Sequence, residues 1–424
     1  MLKDSHGLWA YSAIAPPHTE SLAHDTTATV VVIGGGFTGM STALHLAERQ
    51  SDVVVLEAME IGFGASGRNA GLVNAGLWIE PGVLEQTLGP VFGPRLLTLL
   101  GDAPNVVFEI IDRHAISCEA RRAGTIHCAV GKRGVAEMVA RARQWRAIGA
   151  PVRVLDKEET RAKTGTSLYE AGLLDLRAGT IQPLSYVRGL ARAAIEFGAR
   201  VFTQSPAQSI ARESGTWRVR TSSGSIRAKW VVLATDVYTH TIAPGLRTEQ
   251  AVLPYFNIAT APLAETLRRE ILPDGQGAWD NRKVLTHFRL DQAGSLIVGS
   301  VGALRGTGFL VHRAWARQHI RTLFPQLRGI RIEHEWYGMI GMTDDHLPRL
   351  HVPADNMIAV AGYNGRGIAP GTVFGRELAR HIEGELSLAE MPLPVTAPEK
   401  ARFRAAHEAL YEFGSQLAHL PLPR

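Results

Sequence analysis

A glycine-rich turn between a predicted strand and a predicted helix constrains this chain more than any other feature. The β-branched run 29–33 precedes Gly34, Gly36 and Gly39, which stand in the spacing GxGxxG. Gly34 permits a tight turn, Gly36 lets the backbone approach a pyrophosphate, and Gly39 allows close packing of helix on strand. The free N–H groups and the dipole at the helix start favour phosphate charge.

A second predicted strand, 53–56, completes the unit and ends directly before Glu57. The Glu57 carboxylate can accept two hydrogen bonds from a ribose diol, which is the role of an acid at this place. Strand, turn, helix and acid stand in the order that nucleotide binding requires. The sequence therefore predicts a dinucleotide-binding βαβ unit rather than a purely structural glycine turn.

The length and composition suit a globular protein with two cores. The chain has 424 residues, is 45% hydrophobic and carries a formal net charge of +5. Its basic residues form no run and are not interleaved with aromatics, which argues against nucleic-acid binding. Cys118 and Cys128 form no CxxC pair, so we expect a reducing compartment. We interpret residues 8–15 as an extended arm rather than a secretory signal, and no apolar run reaches the ~18 residues of a membrane span.

A second glycine-rich segment, residues 62–71, favours a flavin over a nicotinamide dinucleotide. In a plain NAD-binding domain a helix would follow the ribose acid, whereas here four glycines leave N–H groups free to surround a second phosphate and the ring edge. Ser66 and Arg68 add a hydroxyl and a charge. A surface loop would explain the glycines but not the Ser66, Arg68 and Asn69 that accompany them.

The C-terminal part repeats the strand, turn and helix pattern. The predicted strand 357–361 leads into the turn 362–367 and a predicted helix over 372–382. A helix start directed at the pyrimidine end of an isoalloxazine ring would stabilise reduced flavin by about 0.3–1 kcal/mol. Another Rossmann-type crossover would give the same pattern and stays open as an alternative.

Segments 34–39, 64–69 and 362–367 carry a resemblance to a known family. The chain resembles the FAD-dependent amine and amino-acid oxidases of the D-amino-acid-oxidase superfamily. Within it, the chain is similar to the γ-glutamylputrescine oxidases and more closely to the bacterial L-pipecolate oxidases. The resemblance to the last subgroup covers nearly the whole chain and includes residues 71–76, 177–181 and 275–280.

The resemblance implies an α/β and α+β architecture of the D-amino-acid-oxidase and glutathione-reductase type. A discontinuous, Rossmann-like FAD-binding domain would comprise residues 1–98, 172–243 and 335–424. The substrate domain would comprise residues 99–171 and 244–334, with a β-sheet that covers the flavin.

The resemblance also implies which residues contact FAD, which would bind through the two glycine-rich segments, the acid and the C-terminal turn. The expected contacts are Gly34, Gly36, Phe37, Thr38, Gly39, Glu57, Ala58, Ala65, Ser66, Gly67, Arg68, Asn69, Gly71, Leu72, Ala207, Ala234, Gly338, Gly362, Asn364, Gly365, Arg366 and Gly367.

The chain departs from the family pattern in three respects. Some relatives attach FAD through a cysteine near the segment 338–345, which here contains none, so noncovalent FAD is expected. Sarcosine-oxidase-like members hold a carboxylate with a lysine where this chain has Ala369. They also hold an oxygen-activating lysine on a strand that corresponds to 295–299, which lacks one. The last absence weakens the case for O2 as the natural acceptor.

Flavin-dependent amine oxidation requires an oriented C–H bond, a neutral amine and an enclosure that excludes water. A substrate carboxylate is best held by a bidentate arginine, for which Arg289 is the first candidate and Arg366 the second. Tyr255 and Tyr363 would form walls with Trp279. Isolated arginines and aromatics in strands are also common as surface or core residues. His287 and His346 lack partners at metal-ligand spacing, so no metal site is predicted.

These features predict an FAD-dependent oxidoreductase that acts on CH–NH groups. The expected reaction converts L-pipecolate, as in lysine catabolism, to 1-piperideine-6-carboxylate. The alternatives are γ-glutamylputrescine or another N-substituted amine as substrate, or a non-catalytic electron-transfer flavoprotein.

The partners would be a small amine or amino acid and either O2 or a respiratory-chain acceptor. The protein would be cytoplasmic, with peripheral contact to the inner membrane as an option. The predicted helix over 399–413 is amphipathic and flanked by cations, which suits a membrane surface. Packing of its apolar side on the FAD-binding domain is the favoured interpretation.

Overall fold

Two eight-stranded β-sheets frame the part of the chain that the computed structural model describes, residues 6–239 and 242–420. The first sheet has a parallel centre, in which Thr26–Ile33 pairs with Val53–Leu56 and with Ser225–Leu233. Its strands in spatial order are Arg349–Ala354, Met357–Ala361, Ser225–Leu233, Thr26–Ile33, Val53–Leu56 and Arg200–Phe202, and the antiparallel strands Thr216–Arg220 and Ser209–Glu213 extend it beside Ser225–Leu233.

Continuous apolar runs explain the centre of the first sheet. Val53–Leu56 and Met357–Ala361 are buried along their whole length, as expected of strands covered on both faces. The buried helix Phe37–Ala47 contacts the helices Pro183–Glu196 and Ile368–Ile382. The first glycine turn therefore lies at the carboxyl end of a central strand, where parallel α/β sheets bind their ligands.

The second sheet is mostly antiparallel and separates a core from a cavity. Phe256, Phe288 and Ile320 lie in the core on one face, which includes residues of the helix Gly306–Leu323. Because side chains alternate along a strand, Tyr255 and His287 lie on the opposite face. The strands in spatial order are Ile332–Met342, Ala251–Pro262, Ser295–Val301, Thr286–Leu290, Gly277–Asp280, Thr125–Ala129, Ala171–Asp175 and Val152–Leu155.

Shorter elements complete the described chain, and no described helix combines the length and hydropathy needed to cross a membrane. The strands Leu72–Val73 and Gly179–Thr180 form a separate pair. The remaining α-helices are Leu8–Ser12, Pro81–Arg113, Gly131–Ala147, Lys157–Thr164, Pro244–Thr248, Glu265–Arg268, Arg404–Ala409 and Ser415–His419. Single 3-10 turns occur at Ala65–Gly67, Asp236–Tyr238, Pro325–Leu327 and Leu388–Glu390, and a π-helical turn at Leu410–Gly414.

The predicted mixed α/β architecture is confirmed, while two local expectations are corrected. The expected extended arm contains the helix Leu8–Ser12, because Trp9 is fully buried and its indole N–H donates to the carbonyl of Asn69 at 2.9 Å. The C-terminal segment does not pack through an apolar face, since Phe413 and Leu417 are 63% and 67% exposed. The domain boundaries stay a prediction; the strand Ile332–Met342 belongs to the second sheet although it crosses the expected boundary at 335.

Candidate active site

A cavity of about 1220 Å³ is lined by residues of both sheets. Pockets for single small ligands measure roughly 300–1,000 Å³, so this cavity has room for a dinucleotide together with a substrate. Its lining includes Gly36 and Glu57 from the first sheet side and Tyr255, His287 and Ser300 from the second.

The first glycine turn leaves no room for side chains at its three glycines. Gly34 has φ +113°, and a Cβ there would lie 2.6 Å from the carbonyl oxygen of Ala234. A Cβ at Gly36 would lie 2.9 Å from the Ser66 hydroxyl, and one at Gly39 would collide with the Gly34 carbonyl. The backbone of this turn therefore forms a cradle, and its fit to a pyrophosphate depends on glycine at each position.

The Glu57 carboxylate lies beside this cradle. Its Oε2 accepts a hydrogen bond from the Gly35 N–H at 2.6 Å, and its Oε1 accepts one from the Met59 N–H at 2.9 Å. Burial raises the pKa of Glu57, while these amides act in the opposite direction. Each carboxylate oxygen accepts up to two hydrogen bonds, so one position on each stays available to a ribose diol.

The second glycine-rich segment is organised by its own polar side chains. The Ser66 hydroxyl accepts a hydrogen bond from the Phe37 N–H at 3.0 Å, which joins the two glycine-rich segments. The Asn69 side chain donates to the Ser66 carbonyl at 2.9 Å and accepts from the Gly71 N–H at 2.8 Å. Asn69 therefore fixes the loop shape that the glycines permit.

Most residues expected to contact FAD line the cavity. They are Gly34, Gly36, Phe37, Thr38, Glu57, Ala58, Ala65, Ser66, Asn69, Leu72, Ala207, Ala234, Asn364, Gly365, Arg366 and Gly367.

The remaining expected FAD contacts lie outside the lining: Gly39, Gly67, Arg68, Gly71, Gly338 and Gly362. The glycines among them are packing positions. A Cβ at Gly338 would lie 2.5 Å from the Tyr255 hydroxyl, and one at Gly362 would lie 2.6 Å from a Thr343 methyl. The Arg68 guanidinium covers the Phe63 ring at 4.5 Å.

Tyr255 and Tyr363 both line the cavity, as expected of its walls. The Tyr363 hydroxyl is 2.7 Å from the Thr38 hydroxyl at the start of the first helix. The Tyr255 hydroxyl is buried and has no hydrogen-bond partner among the described residues. An unpartnered buried hydroxyl is costly, so Tyr255 is suited to bind a ligand in the cavity.

Arg366 is the arginine that the structure places in the cavity lining. Its guanidinium lies beside two indoles that are in edge-to-face contact with each other, 4.7 Å from the Trp78 ring and 5.0 Å from the Trp279 ring. One Nη donates to the Ala75 carbonyl at 2.8 Å, whereas Nε has no partner in the described chain. Burial lowers the pKa of Arg366 to about 9, so the side chain is charged at neutral pH. No carboxylate of the described residues forms an ion pair with it, although the charge of Asp175 acts weakly in the opposite direction to burial.

Arg289, the first candidate for the substrate carboxylate, does not line the cavity. Its Nε donates to the Leu290 carbonyl at 3.2 Å, and its Nη1 donates to the carbonyls of Gly71, at 3.2 Å, and Ile181. The guanidinium is 1% exposed and lies beneath the second glycine-rich segment. This placement corrects the expectation: Arg289 holds backbone, and its donors are directed away from the cavity.

The cavity lining also includes residues to which the sequence analysis gave no role in the site, among them His287 and Lys283. Nε2 of His287 is 2.7 Å from Asn257 Oδ1, and Asn257 Nδ2 donates to the Arg68 carbonyl at 3.2 Å. Since the amide oxygen is the acceptor, His287 carries its proton on Nε2. Burial lowers the pKa of His287 to about 4, so the ring is neutral and its Nδ1 is a hydrogen-bond acceptor. Strand alternation through Phe288 was the signal that could have identified it.

No group of three or more metal-ligating side chains occurs in the described part of the chain. The predicted absence of a metal site stays a prediction.

Comparison with known proteins identifies the family. A family model described as "FAD dependent oxidoreductase" (DAO) matches residues 29–381. The chain is 30% identical to the γ-glutamylputrescine oxidoreductase of Escherichia coli K12, over 98% of this chain and 100% of that protein. Among solved structures, L-proline dehydrogenase from P. horikoshii has a TM-score of 0.69 at 20% identity, covering 86% of this chain and 95% of its own. Glycine oxidase from Geobacillus kaustophilus has a TM-score of 0.68 at 20% identity, covering 84% and 95%.

The two structural likenesses support the fold, and the family match supports the cofactor. The glycine cradle, the Glu57 carboxylate and the cavity volume all fit FAD. This chain belongs to the DAO family of FAD-dependent oxidoreductases, which act on amines and amino acids.

Proposed function

We propose that this protein oxidises the CH–NH group of an amine that carries a carboxylate, with L-pipecolate as the first substrate to test. The observation that carries the proposal is the Arg366 guanidinium, which is buried in the cavity and forms no ion pair with a carboxylate of the described residues. Buried charges are normally paired, so an anionic ligand is expected to complete the pair. FAD, when bound, accepts the hydride from the carbon beside the nitrogen.

The two indoles beside Arg366 restrict the orientation of its guanidinium. The Trp78 and Trp279 rings are nearly perpendicular, with centroids 5.0 Å apart, so they form a corner against which the guanidinium lies, and such cation–π contacts leave N–H donors for hydrogen bonds. A carboxylate matches this planar fork in a bidentate manner, whereas a single point charge does not. Arg366 would therefore fix the position of the substrate, and through it the C–H bond that breaks.

Tyr255 and His287 supply a donor and an acceptor on the opposite wall. The Tyr255 hydroxyl has no partner, and the His287 Nδ1 is an acceptor because its Nε2–H is bonded to Asn257. Oxidation requires a neutral amine, and an imidazole with a pKa of about 4 is too weak a base to deprotonate an ammonium group, so the substrate would lose that proton to solvent. The His287 Nδ1 would instead accept a hydrogen bond from the neutral amine N–H. Loss of a hydride from the carbon then gives an iminium, which releases its N–H proton to become an imine, and water opens the imine to an aldehyde.

A second candidate substrate is γ-glutamylputrescine. The observation that favours it is the 30% identity to the γ-glutamylputrescine oxidoreductase over nearly the full length of both chains. This substrate also carries a carboxylate, but that group is many bonds from the putrescine nitrogen, so Arg366 could hold it only if the reacting carbon lay correspondingly further from Arg366 than in L-pipecolate.

The electron acceptor is proposed to be a respiratory-chain acceptor rather than O2, with the protein in the cytoplasm at the inner membrane. The strand Ser295–Val301 contains no lysine, and a cation beside reduced flavin stabilises superoxide as it forms. Among the described residues, Lys283 and Arg366 are cations that line the cavity. Since Arg366 is assigned to the substrate carboxylate, Lys283 is the cation that would have to replace the missing lysine for fast reaction with O2. Stopped-flow reoxidation checks this: reoxidation by air as fast as dye-linked turnover would show a true oxidase.

Anaerobic titration of the flavin tests the proposed function. The holoprotein is mixed with L-pipecolate, L-proline, sarcosine and γ-glutamylputrescine, and flavin absorbance is followed. We expect rapid bleaching by at least one carboxylate-bearing amine and slow bleaching by piperidine, which lacks the carboxylate. If no amine reduces the flavin, the protein is not an amine oxidoreductase, and an electron-transfer role would take its place. Release of all FAD on acid precipitation would support noncovalent attachment.

A further inference from the structure

In the C-terminal segment 404–420 the apolar side chains face solvent, and the polar side chains face the rest of the protein. Every exposed residue of this segment is Ala, Leu or Phe. These residues are Ala405, Ala406, Ala409, Leu410, Phe413, Leu417, Ala418 and Leu420. A helix of a globular protein normally packs its apolar side and exposes its polar side. This segment therefore has an apolar face that no part of the described chain covers.

The polar side of the segment is what attaches it to the protein. Glu412 forms an ion pair with Arg305 at 2.9 Å, and Gln416 accepts a hydrogen bond from the Thr307 hydroxyl at 2.8 Å. Glu408 accepts from the Val252 N–H at 3.1 Å. These contacts fix the orientation, so the outward direction of the apolar side is a property of the fold rather than of a loose end.

The neighbouring helix Gly306–Leu323 widens this apolar surface. Phe309 and Leu310 lie near its start, next to the residues that bind the C-terminal segment, and are 38% and 70% exposed. Together with Leu410, Phe413 and Leu417 they form what we call the apolar rim. At 1.5 Å per residue the C-terminal segment alone is about 24 Å long. Contiguous exposed patches of this kind mark interaction surfaces.

The apolar rim adjoins the lining of the cavity. Leu410 is 64% exposed and also lines the cavity, together with Tyr411, Gly414 and Ser415. A small molecule dissolved in an apolar environment that covers the rim would therefore reach the cavity lining directly.

We propose that the apolar rim docks on the surface of an anionic lipid bilayer. Lys400 and Arg402 precede the C-terminal segment in the sequence, and Arg317 lies on the helix Gly306–Leu323. All three are exposed and form no ion pair among the described residues, although the Asp344 carboxylate accepts a hydrogen bond from the Arg402 N–H, and the whole chain has a formal net charge of +5. Interfacial helices combine Leu and Phe on one side with flanking cations and need no complementary partner shape, which suits this alanine-spaced surface. Docking would give a lipid-dissolved acceptor, such as a quinone, access to the cavity. That last step rests on the proposed function, whereas docking itself does not.

Vesicle flotation of the holoprotein tests the proposal. At low ionic strength the protein should float with phosphatidylglycerol-containing vesicles and much less with phosphatidylcholine vesicles. The variant Phe413→Ser/Leu417→Ser should lose at least tenfold in vesicle affinity, while its FAD content and dye-linked turnover stay unchanged, because neither residue lines the cavity. The matched control is Val91→Ser/Leu176→Ser, which changes side chains that are 50% and 54% exposed elsewhere.

Three outcomes would overturn the proposal. The first is wild-type protein that does not bind anionic vesicles, and the second is a double variant that binds them as well as wild type. The third is a wild-type dimer that the double variant converts to monomer without any vesicle binding, which would make a second copy the occupant of the rim. Vesicle binding without flavin reduction by any amine would leave docking intact and refute the proposed function instead.

Discussion

At the scale of single residues, Arg289 and Arg366 differ in what their guanidinium groups contact. Arg289 is 1% exposed and all its observed donors bind backbone carbonyls, whereas Arg366 faces the cavity with an unpartnered Nε. Side-chain alternation places His287 and Arg289 on the same face of one strand. Their positions along the strand place His287 in the cavity lining and Arg289 against the second glycine-rich segment. The alternating sequence pattern does not reveal this difference.

Replacing Arg366 should weaken the binding of substrates that carry a carboxylate and leave the binding of uncarboxylated amines nearly unchanged. Loss of a charged hydrogen bond costs about 1.5–3 kcal/mol, which corresponds to roughly ten- to hundredfold in affinity. Arg366→Met should therefore raise KM for L-pipecolate by that factor and change KM for piperidine little. Equal changes for both substrates would remove Arg366 from the role of carboxylate anchor.

Tyr255→Phe should separate activity from stability. The Tyr255 hydroxyl has no partner among the described residues, so its removal relieves an unsatisfied buried group instead of breaking a bond. We expect kcat/KM to fall about tenfold while Tm stays equal or rises. A lower Tm together with unchanged kcat/KM would indicate a structural hydroxyl.

At the scale of elements, the second glycine-rich segment is held from behind by side chains of distant strands and helices. The Trp336 indole donates to the Arg68 carbonyl at 2.8 Å, the Trp9 indole to the Asn69 carbonyl at 2.9 Å, and Arg289 to the Gly71 carbonyl at 3.2 Å. The N–H groups of residues 67–69 already donate to carbonyls within the segment, so it is the remaining N–H groups that the segment can present to the cofactor.

Arg289→Met should therefore weaken FAD binding rather than substrate binding. The Ile181 carbonyl would lose a buried donor, at a cost of about 1–3 kcal/mol, whereas the Gly71 carbonyl would keep the hydrogen bond from the Ile181 N–H at 2.9 Å. We expect faster FAD loss on gel filtration and a lower Tm, with an unchanged ratio of KM for L-pipecolate to KM for piperidine. Arg122→Met, at an exposed arginine bonded to Asn105, is the matched control and should have no effect.

The elements that sequence predicted well are those with local signals. Val53–Leu56 and Met357–Ala361 have the expected bounds, because continuous apolar runs between turn residues specify buried strands. The final helix shows the limit of such reasoning. Its periodicity reveals an apolar side, but ion pairs such as Glu412 with Arg305 decide that this side faces outward. Contacts between residues far apart in sequence leave no periodic signal.

At the scale of the whole molecule, a buried histidine cluster joins the C-terminal segment to the second sheet and its helix. Nδ1 of His312 and Nδ1 of His419 are 2.7 Å apart, and Nε2 of His419 is 3.3 Å from the Ser300 hydroxyl. The Trp315 ring stacks on His419 at 4.0 Å and on His319 at 4.6 Å. Burial lowers the pKa of His312 and of His319 to about 4, and that of His419 to about 3.

This cluster should make the protein less stable as the pH falls below neutral. The folded-state pKa values lie below the ordinary value of about 6.5, so the unfolded chain binds more protons from about pH 6.5 down to the folded values. Stability is thus fully present above pH 6.5 and decreases as pH falls through this window. Each histidine contributes about 1.4 kcal/mol of this loss between pH 7.5 and 5.5.

His319→Phe isolates one member of the cluster. A phenyl ring can keep the stacking on Trp315, and no hydrogen bond is lost, because Nε2 of His319 has no partner among the described residues. Urea unfolding at pH 7.5 and 5.5 should show a drop in unfolding free energy that is about 1.4 kcal/mol smaller in His319→Phe than in wild type. The exposed His18→Phe should keep the wild-type drop. If His319→Phe also kept the full drop, the acid sensitivity would arise outside this cluster, and the C-terminal segment would be held independently of histidine protonation.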